Sequence, residues 1–235
     1  MLRKSLILAA FVLGMVLQTS PVPLRALELR PSSLSPVVVP AGNIPINPLG
    51  TADFNKNGSL ESLLLANGRL TILSAGRSVW QSPAAWTVVQ ASITDLDHDS
   101  VPEATLLVWR AFRPWPVDRW LPYGGRIAGF QDAGGNSCQI ILIGWRGNAY
   151  GEVWAGSALA EPVRSFAVAD LNGDNIPELV TLEGSYTDSR SAPARALKVW
   201  VWNGFGFSIV STFEGTFYNM ALVQARDGRY LILVS

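Results

Sequence analysis

Asp170-Leu171-Asn172-Gly173-Asp174-Asn175-Ile176-Pro177-Glu178 lies between two apolar runs, Ala167-Val168-Ala169 and Leu179-Val180. Runs of that length and composition on either side of a polar turn read as strands. Oxygen-bearing side chains fall at loop positions one, three and five, as Asp170, Asn172 and Asp174, and a carboxylate follows at nine, Glu178. A backbone with this spacing curls around one hard cation, with the side chains pointing inward and a main-chain carbonyl near position seven adding a ligand. Position six has to bend sharply, and Asn175 tolerates the positive φ this demands.

The same pattern occurs twice more. Asp95, Asp97, Asp99 and Glu103 occupy positions one, three, five and nine of a second loop, and Asp53, Asn55, Asn57 and Glu61 those of a third copy upstream. Apolar runs flank each copy, and three copies in one frame indicate a repeat architecture. The acid at nine rather than twelve, and strands rather than helices on either side, exclude EF-hands.

These loops resemble the calcium-type loops of FG-GAP or VCBS repeats, which form the blades of integrin-like β-propellers. The resemblance runs from roughly Pro45 to the C-terminus. It is specific in the loops and loose between them. Phe205-Gly206 is present, but the Gly-Ala-Pro that completes the family signature does not follow. The resemblance implies structural Ca²⁺ ions that lock each hairpin and blade register rather than activate water, and all-oxygen ligation favours Ca²⁺ over transition metals. The alternative is a set of polar turns held by side-chain-to-backbone hydrogen bonds without metal. The segment at 170–178 has the most complete ligand pattern. The one at 95–103 is densest in carboxylates, a charge density hard to tolerate without a cation. The one at 53–61, with only two carboxylates, is expected to bind most weakly.

Outward from the loops, the strand grammar repeats. Glu61–Ala66, the turn Asn67-Gly68 and Arg69–Ser74 read as a hairpin. Cys138–Trp145 and Gly151–Ala155, joined at Arg146-Gly147-Asn148, read as another, as do Leu197–Trp202 and Phe207–Phe213 around Asn203-Gly204. A fourth approach strand, Tyr218–Gln224, ends in Ala225-Arg226-Asp227-Gly228-Arg229, too short and too poor in acids for a cation. At about 45 residues per blade the chain holds four or five blades of an all-β propeller. Because it ends on a strand, Tyr230–Val234, an N-terminal strand such as Val37–Val39 is expected to finish the last blade, an open or partner-completed array being the alternative.

The domain reading has three parts. Residues 1–26 form a signal peptide or an uncleaved anchor: Arg3 and Lys4 precede an apolar run, Ser5–Leu17, that is short for a membrane span of about 20 residues. The best cleavage position follows Ala26. Residues 27–44 are a Pro/Ser-rich linker with the closing strand inside it, and 45–235 are the propeller. Asp53 to Asp95 is 42 residues, one blade, but Asp95 to Asp170 is 75, so an insertion interrupts the second blade at about 110–137.

Lys+Arg and Asp+Glu are both 18 among 235 residues, so no global field favours nucleic acid. One Cys and one His rule out an internal disulfide and a Cys/His zinc site. His98, at loop position four, is expected to face solvent, with no nucleophile–base pairing readable beside it. Cys138 reads as an inert buried thiol, and Trp80, Trp154, Trp200 and Trp202 as blade core rather than ligand platforms. Within the insertion, Trp115, Arg119 and Trp120 combine residue types enriched at binding hot spots. They either contact a partner or cap the propeller. The function that follows is an exported, calcium-stabilised, non-enzymatic binding or assembly protein, secreted or otherwise extracytoplasmic. Its partner would be a protein, a glycan or a second copy of the chain. A propeller-scaffold hydrolase or lyase acting on an extracellular polymer is the alternative.

Overall fold

The computed structural model describes residues 25–30, 33–37, 44–45, 50–114, 129–225 and 227–235. Strands β1 (Arg25–Arg30), β2 (Ser33–Val37) and β3 (Ile44–Pro45) come first. The first blade is β4 (Thr51–Ala52), β5 (Glu61–Ala66), β6 (Arg69–Ser74) and β7 (Arg77–Gln81). The second is β8 (Trp86–Thr94), β9 (Glu103–Ala111), β10 (Asn136–Arg146) and β11 (Ala149–Ala155). The third is β12 (Val163–Ala169), β13 (Glu178–Glu183), β14 (Ala194–Trp202) and β15 (Phe207–Phe217), and β16 (Met220–Gln224) and β17 (Tyr230–Val234) end the chain. The four antiparallel sheets make a four-bladed β-propeller. Among the described residues no helix is long and apolar enough to cross a membrane.

Hairpin chemistry sets the registers. Asn67 and Gly68 both take positive φ, 50° and 72°, as do Ala75 and Gly76, and Gly147 and Asn148. Two consecutive left-handed residues match the twist of the strands they join. The β5–β6 ladder therefore pairs Ala66 with Arg69 and continues without a bulge to Glu61 and Ser74.

Central strands are buried on both faces because a neighbouring blade covers each. Along β9 every residue from Glu103 to Trp109 is buried, and all of β13 is. Leu70, Ile72, Val88, Leu106, Val108 and Ile143 pack between the first and second blades. Leu107, Trp109, Leu142, Phe166 and Leu179 pack between the second and third. A third cluster joins Val180, Leu197 and Val199 to Leu27, Leu222 and Ile232 of the last blade. The Gln90 amide ties blades two and three along their first strands, donating to Phe166 O at 2.6 Å and accepting from Phe166 N at 3.0 Å.

The fourth blade corrects the reading of the N-terminal region. Its strand order is β2-β1-β17-β16-β3. Residues 27–44 supply most of β1, all of β2 and the first residue of β3, which runs along β16. Closure falls to Arg25–Arg30, which pairs Ala26 with Leu233 and Leu27 with Ile232, rather than to Val37–Val39. Val37 belongs to β2, opposite Ala26, while Val38 and Val39 lie outside the described residues. A cut after Ala26 would divide the closing strand. Three charged residues in Arg25-Ala26-Leu27-Glu28-Leu29-Arg30 hide its strand character, yet Ala26 through Leu29 are all buried.

Candidate metal centre

Each acidic segment joins the first strand of its blade to the second, so the three loops hold equivalent places in successive blades. Their hydrogen bonds repeat. The position-one carboxylate accepts from the position-six amide: Gly58 N to Asp53 Oδ2 at 2.8 Å, Ser100 N to Asp95 Oδ2 at 3.1 Å, Asn175 N to Asp170 Oδ2 at 2.8 Å. The position-five side chain accepts from the position-seven amide at 2.7 Å in all three loops, on Asn57, Asp99 and Asp174. Glu at nine accepts from the position-two amide: Phe54 N to Glu61 at 3.1 Å, Leu96 N to Glu103 at 3.3 Å, Leu171 N to Glu178 at 2.8 Å. The position-two side chains Phe54, Leu96 and Leu171 plug into the core beneath.

Backbone angles agree as closely. Position six is left-handed in each loop, at Gly58, Ser100 and Asn175, as the bend requires. Position four is left-handed too, at Lys56 (56°), His98 (62°) and Gly173 (82°). That second bend went unread because Lys and His give no signal for it, whereas Gly173 does. His98 does not simply face solvent: it is half-buried, and its Nε2 has no hydrogen-bond partner among the described residues.

Position three is where the loops part. In the third blade the Asn172 amide donates to Glu178 Oε1 at 2.6 Å and to Asp174 Oδ2 at 3.1 Å. In the first, the Asn55 amide donates to Glu61 Oε1 at 3.3 Å and to the Tyr150 hydroxyl at 3.1 Å, and Ser74 adds a donor to Glu61 at 3.2 Å. A neutral clasp therefore holds the buried glutamate in both. The second loop has Asp97 in this place, which can donate nothing while ionised. There Asp95, Asp97, Asp99 and Glu103 gather with one oxygen of each within 4.8 Å of the others. Asp95 Oδ1 is buried without a hydrogen-bond partner.

The electrostatics follow. Burial, and then repulsion from Asp97, Asp95 and Asp99, pushes the Glu103 carboxyl up to about 9. Asp97 is raised above the usual carboxylate range by burial and by Asp99 and Asp95. Burial raises Glu178 as well, against the pull of the Leu171 amide. Four carboxylates converging with no amide among them, and a buried Asp95 oxygen left without a partner, fit a hard divalent cation. The third loop fits one once its Asn172 amide turns its oxygen inward. Both remaining sets, Asp53, Asn55, Asn57 and Glu61, and Asp170, Asn172, Asp174 and Glu178, are thus brought together around an amide.

The fourth blade has a different centre. At the equivalent turn the Arg229 guanidinium reaches Asp227 Oδ2 at 2.7 Å and also pairs with the buried Glu28 of β1. Asp227 and Glu28 hold Arg229 above its ordinary range, the Asp227 bond contributing most.

Of the remaining sequence-predicted residues, Trp115, Arg119 and Trp120 lie outside the described residues. The roots of their insertion are tied down: Phe112 N donates to Gly135 O at 2.8 Å, and Asp132 pairs with Arg190 at 2.6 Å. Arg190 also stacks 3.9 Å over the Trp109 ring. Cys138 is buried, and burial pushes its thiol up to about 12. Trp80, Trp154 and Trp200 are half-buried at cluster edges, and Trp202, half-buried as well, stands edge-on to Trp154 and Phe207, while among the described residues the buried tryptophans are Trp86 and Trp109. No known family model matches the chain, and no curated protein matches it in sequence.

Proposed function

We propose that this chain is a non-enzymatic binding or assembly module of the FG-GAP/VCBS type, exported from the cytoplasm and stabilised by Ca²⁺. The observation that carries the reading is the threefold recurrence of one loop geometry at the same place in successive blades, with four carboxylates converging in the second. Ions there would join the first two strands of a blade and cancel charge that burial makes costly. Asp95, Asp97, Asp99 and Glu103 would hold the tightest ion. Asp170, Asn172, Asp174 and Glu178 would hold a second, and Asp53, Asn55, Asn57 and Glu61 the weakest. A basic start followed by a short apolar run supports export. The aromatic and arginine-rich insertion, with Trp115, Arg119 and Trp120, would contact the partner, since long loops on rigid scaffolds commonly carry function.

Thermal melting of the full chain tests the role of the ion, because a ligand that binds only the folded state raises its stability by mass action. Saturating Ca²⁺ is expected to raise Tm over that in EGTA, and re-addition of Ca²⁺ to restore it. Equal melting temperatures in the two conditions would overturn the reading.

A further inference from the structure

A cleft of about 350 Å³ opens between the second and third blades, lined by none of the acidic-loop residues. Strand alternation builds one wall. Leu179, Thr181 and Glu183 share one face of β13, and Lys198, Trp200 and Trp202 share the paired face of β14, because side chains two apart point the same way. Trp154 closes the opposite side from β11. Phe205, 86% exposed, stands at the rim on the β14–β15 turn.

The polar groups of this cleft are spent in a particular way. Trp200 Nε1 donates to Thr181 Oγ1 at 2.8 Å, and that hydroxyl donates on to Glu183 Oε1 at 2.8 Å. Trp154 Nε1 donates to Phe205 O at 2.8 Å. The Asn203 amide nitrogen donates to Ser208 Oγ at 2.8 Å, and its oxygen accepts from Phe205 N and Gly206 N. The indole donors of Trp154 and Trp200 are therefore used internally, which leaves π surface, carboxylate lone pairs and the exposed Ser157 hydroxyl facing the cleft, with the Lys198 ammonium 5.7 Å from the Trp200 ring. Among the described residues Glu183 is the one charged residue that lines the cleft itself, and it is buried, with Lys198 behind it on β14. Lys198 bonds it at 2.7 Å but is shared with Glu161 at 2.6 Å, so two carboxylates face one ammonium. Burial raises the Glu183 carboxyl above its usual range, with Lys198 and Thr181 opposing, and a carboxylate so poorly solvated gains from another positive charge.

We infer that this cleft binds a small organic cation, an ammonium or guanidinium on an apolar stem, with Trp154, Trp200 and Phe207 packing on the stem and Glu183 supplying the charge. Aromatic quadrupoles attract cations, most strongly where water is excluded. Ligand cavities begin at about this size. The site is independent of the cation loops and holds whether or not they take Ca²⁺.

The test follows the indole N–H resonances of Trp154 and Trp200 in the full chain during titration with phenethylammonium, 2-phenylethanol and phenylacetate, with and without Ca²⁺. The three probes share one apolar frame and differ in charge. Phenethylammonium is expected to bind about tenfold more tightly than the alcohol, and phenylacetate not at all. Glu183→Gln should abolish that preference and leave alcohol binding unchanged. Should that variant fail to fold, Phe205→Ala, altered only at the exposed rim, is expected to weaken phenethylammonium binding several-fold. Equal affinity for cation and alcohol in the unaltered chain would overturn the inference. So would binding of phenylacetate, indole resonances that no probe moves, or Phe205→Ala binding the cation as tightly as the unaltered chain.

Discussion

A single atom type at loop position three separates the blades. Asn55 and Asn172 clasp their buried glutamates with an amide, whereas Asp97 adds a fourth carboxylate. Asp97→Asn should therefore import the neutral clasp into the second loop. In EGTA this variant is expected to melt a few degrees higher, since the amide hydrogen bond gained by Glu103 contributes about 1 kcal/mol, or about 2–4 °C in a domain of this size. Its gain from Ca²⁺ should shrink in the same melts. By contrast, Asp170→Ala is expected to lose more of the Ca²⁺-dependent increment than Asp53→Ala, because three carboxylates serve the third loop and two the first. The oxygen spacing was legible at this scale, but which atom of an asparagine faces inward depends on the hydrogen bonds the fold supplies. Cys138 behaves as its surroundings dictate. Burial pushes its thiol up to about 12 and disfavours the thiolate, so the group should react with a disulfide reagent at pH 8 only on unfolding. Reaction in the native state at the rate of a free thiol would contradict that burial.

Among the elements, the closing strand is the one the sequence concealed. Hairpins announced themselves through Asn67-Gly68 and Gly147-Asn148, where the turn residues are the signal. Strand β1 has no such marker, because its place depends on a partner, β17, at the far end of the chain. Leu27 is fully buried in the cluster between blades three and four. Leu27→Ala should cost about 2–5 kcal/mol, the usual range for a truncated core leucine, and lower Tm equally in Ca²⁺ and in EGTA. Arg229→Ala, which leaves the buried Glu28 short of a partner, should likewise lower Tm without changing the Ca²⁺ increment. A loss seen only in Ca²⁺ would mean that the fourth blade also depends on an ion.

For the whole molecule, periodicity foretold the propeller and bounded its blade number, because each loop recurs once per blade and the first interval measures a blade directly. Interblade contacts were out of reach of that pattern. The cleft beside Glu183 needs β11 of one blade against β13 and β14 of the next, and no spacing along the chain records it. The proposed partner surface belongs to this scale as well. Changing Trp115 and Trp120 together to Ala should abolish association with the native partner while leaving the Ca²⁺-dependent melt intact. Unfolding of the double variant would instead make those rings part of the cap. Beneath all of this lies the claim that the recurring loops are cation sites, and equilibrium dialysis of chelator-stripped protein against Ca²⁺ tests it most directly. At roughly millimolar free Ca²⁺, where extracellular modules commonly saturate, the chain should retain at least one ion, and Asp95→Ala should remove the tightest. No retained Ca²⁺ in folded protein at that concentration would contradict the account.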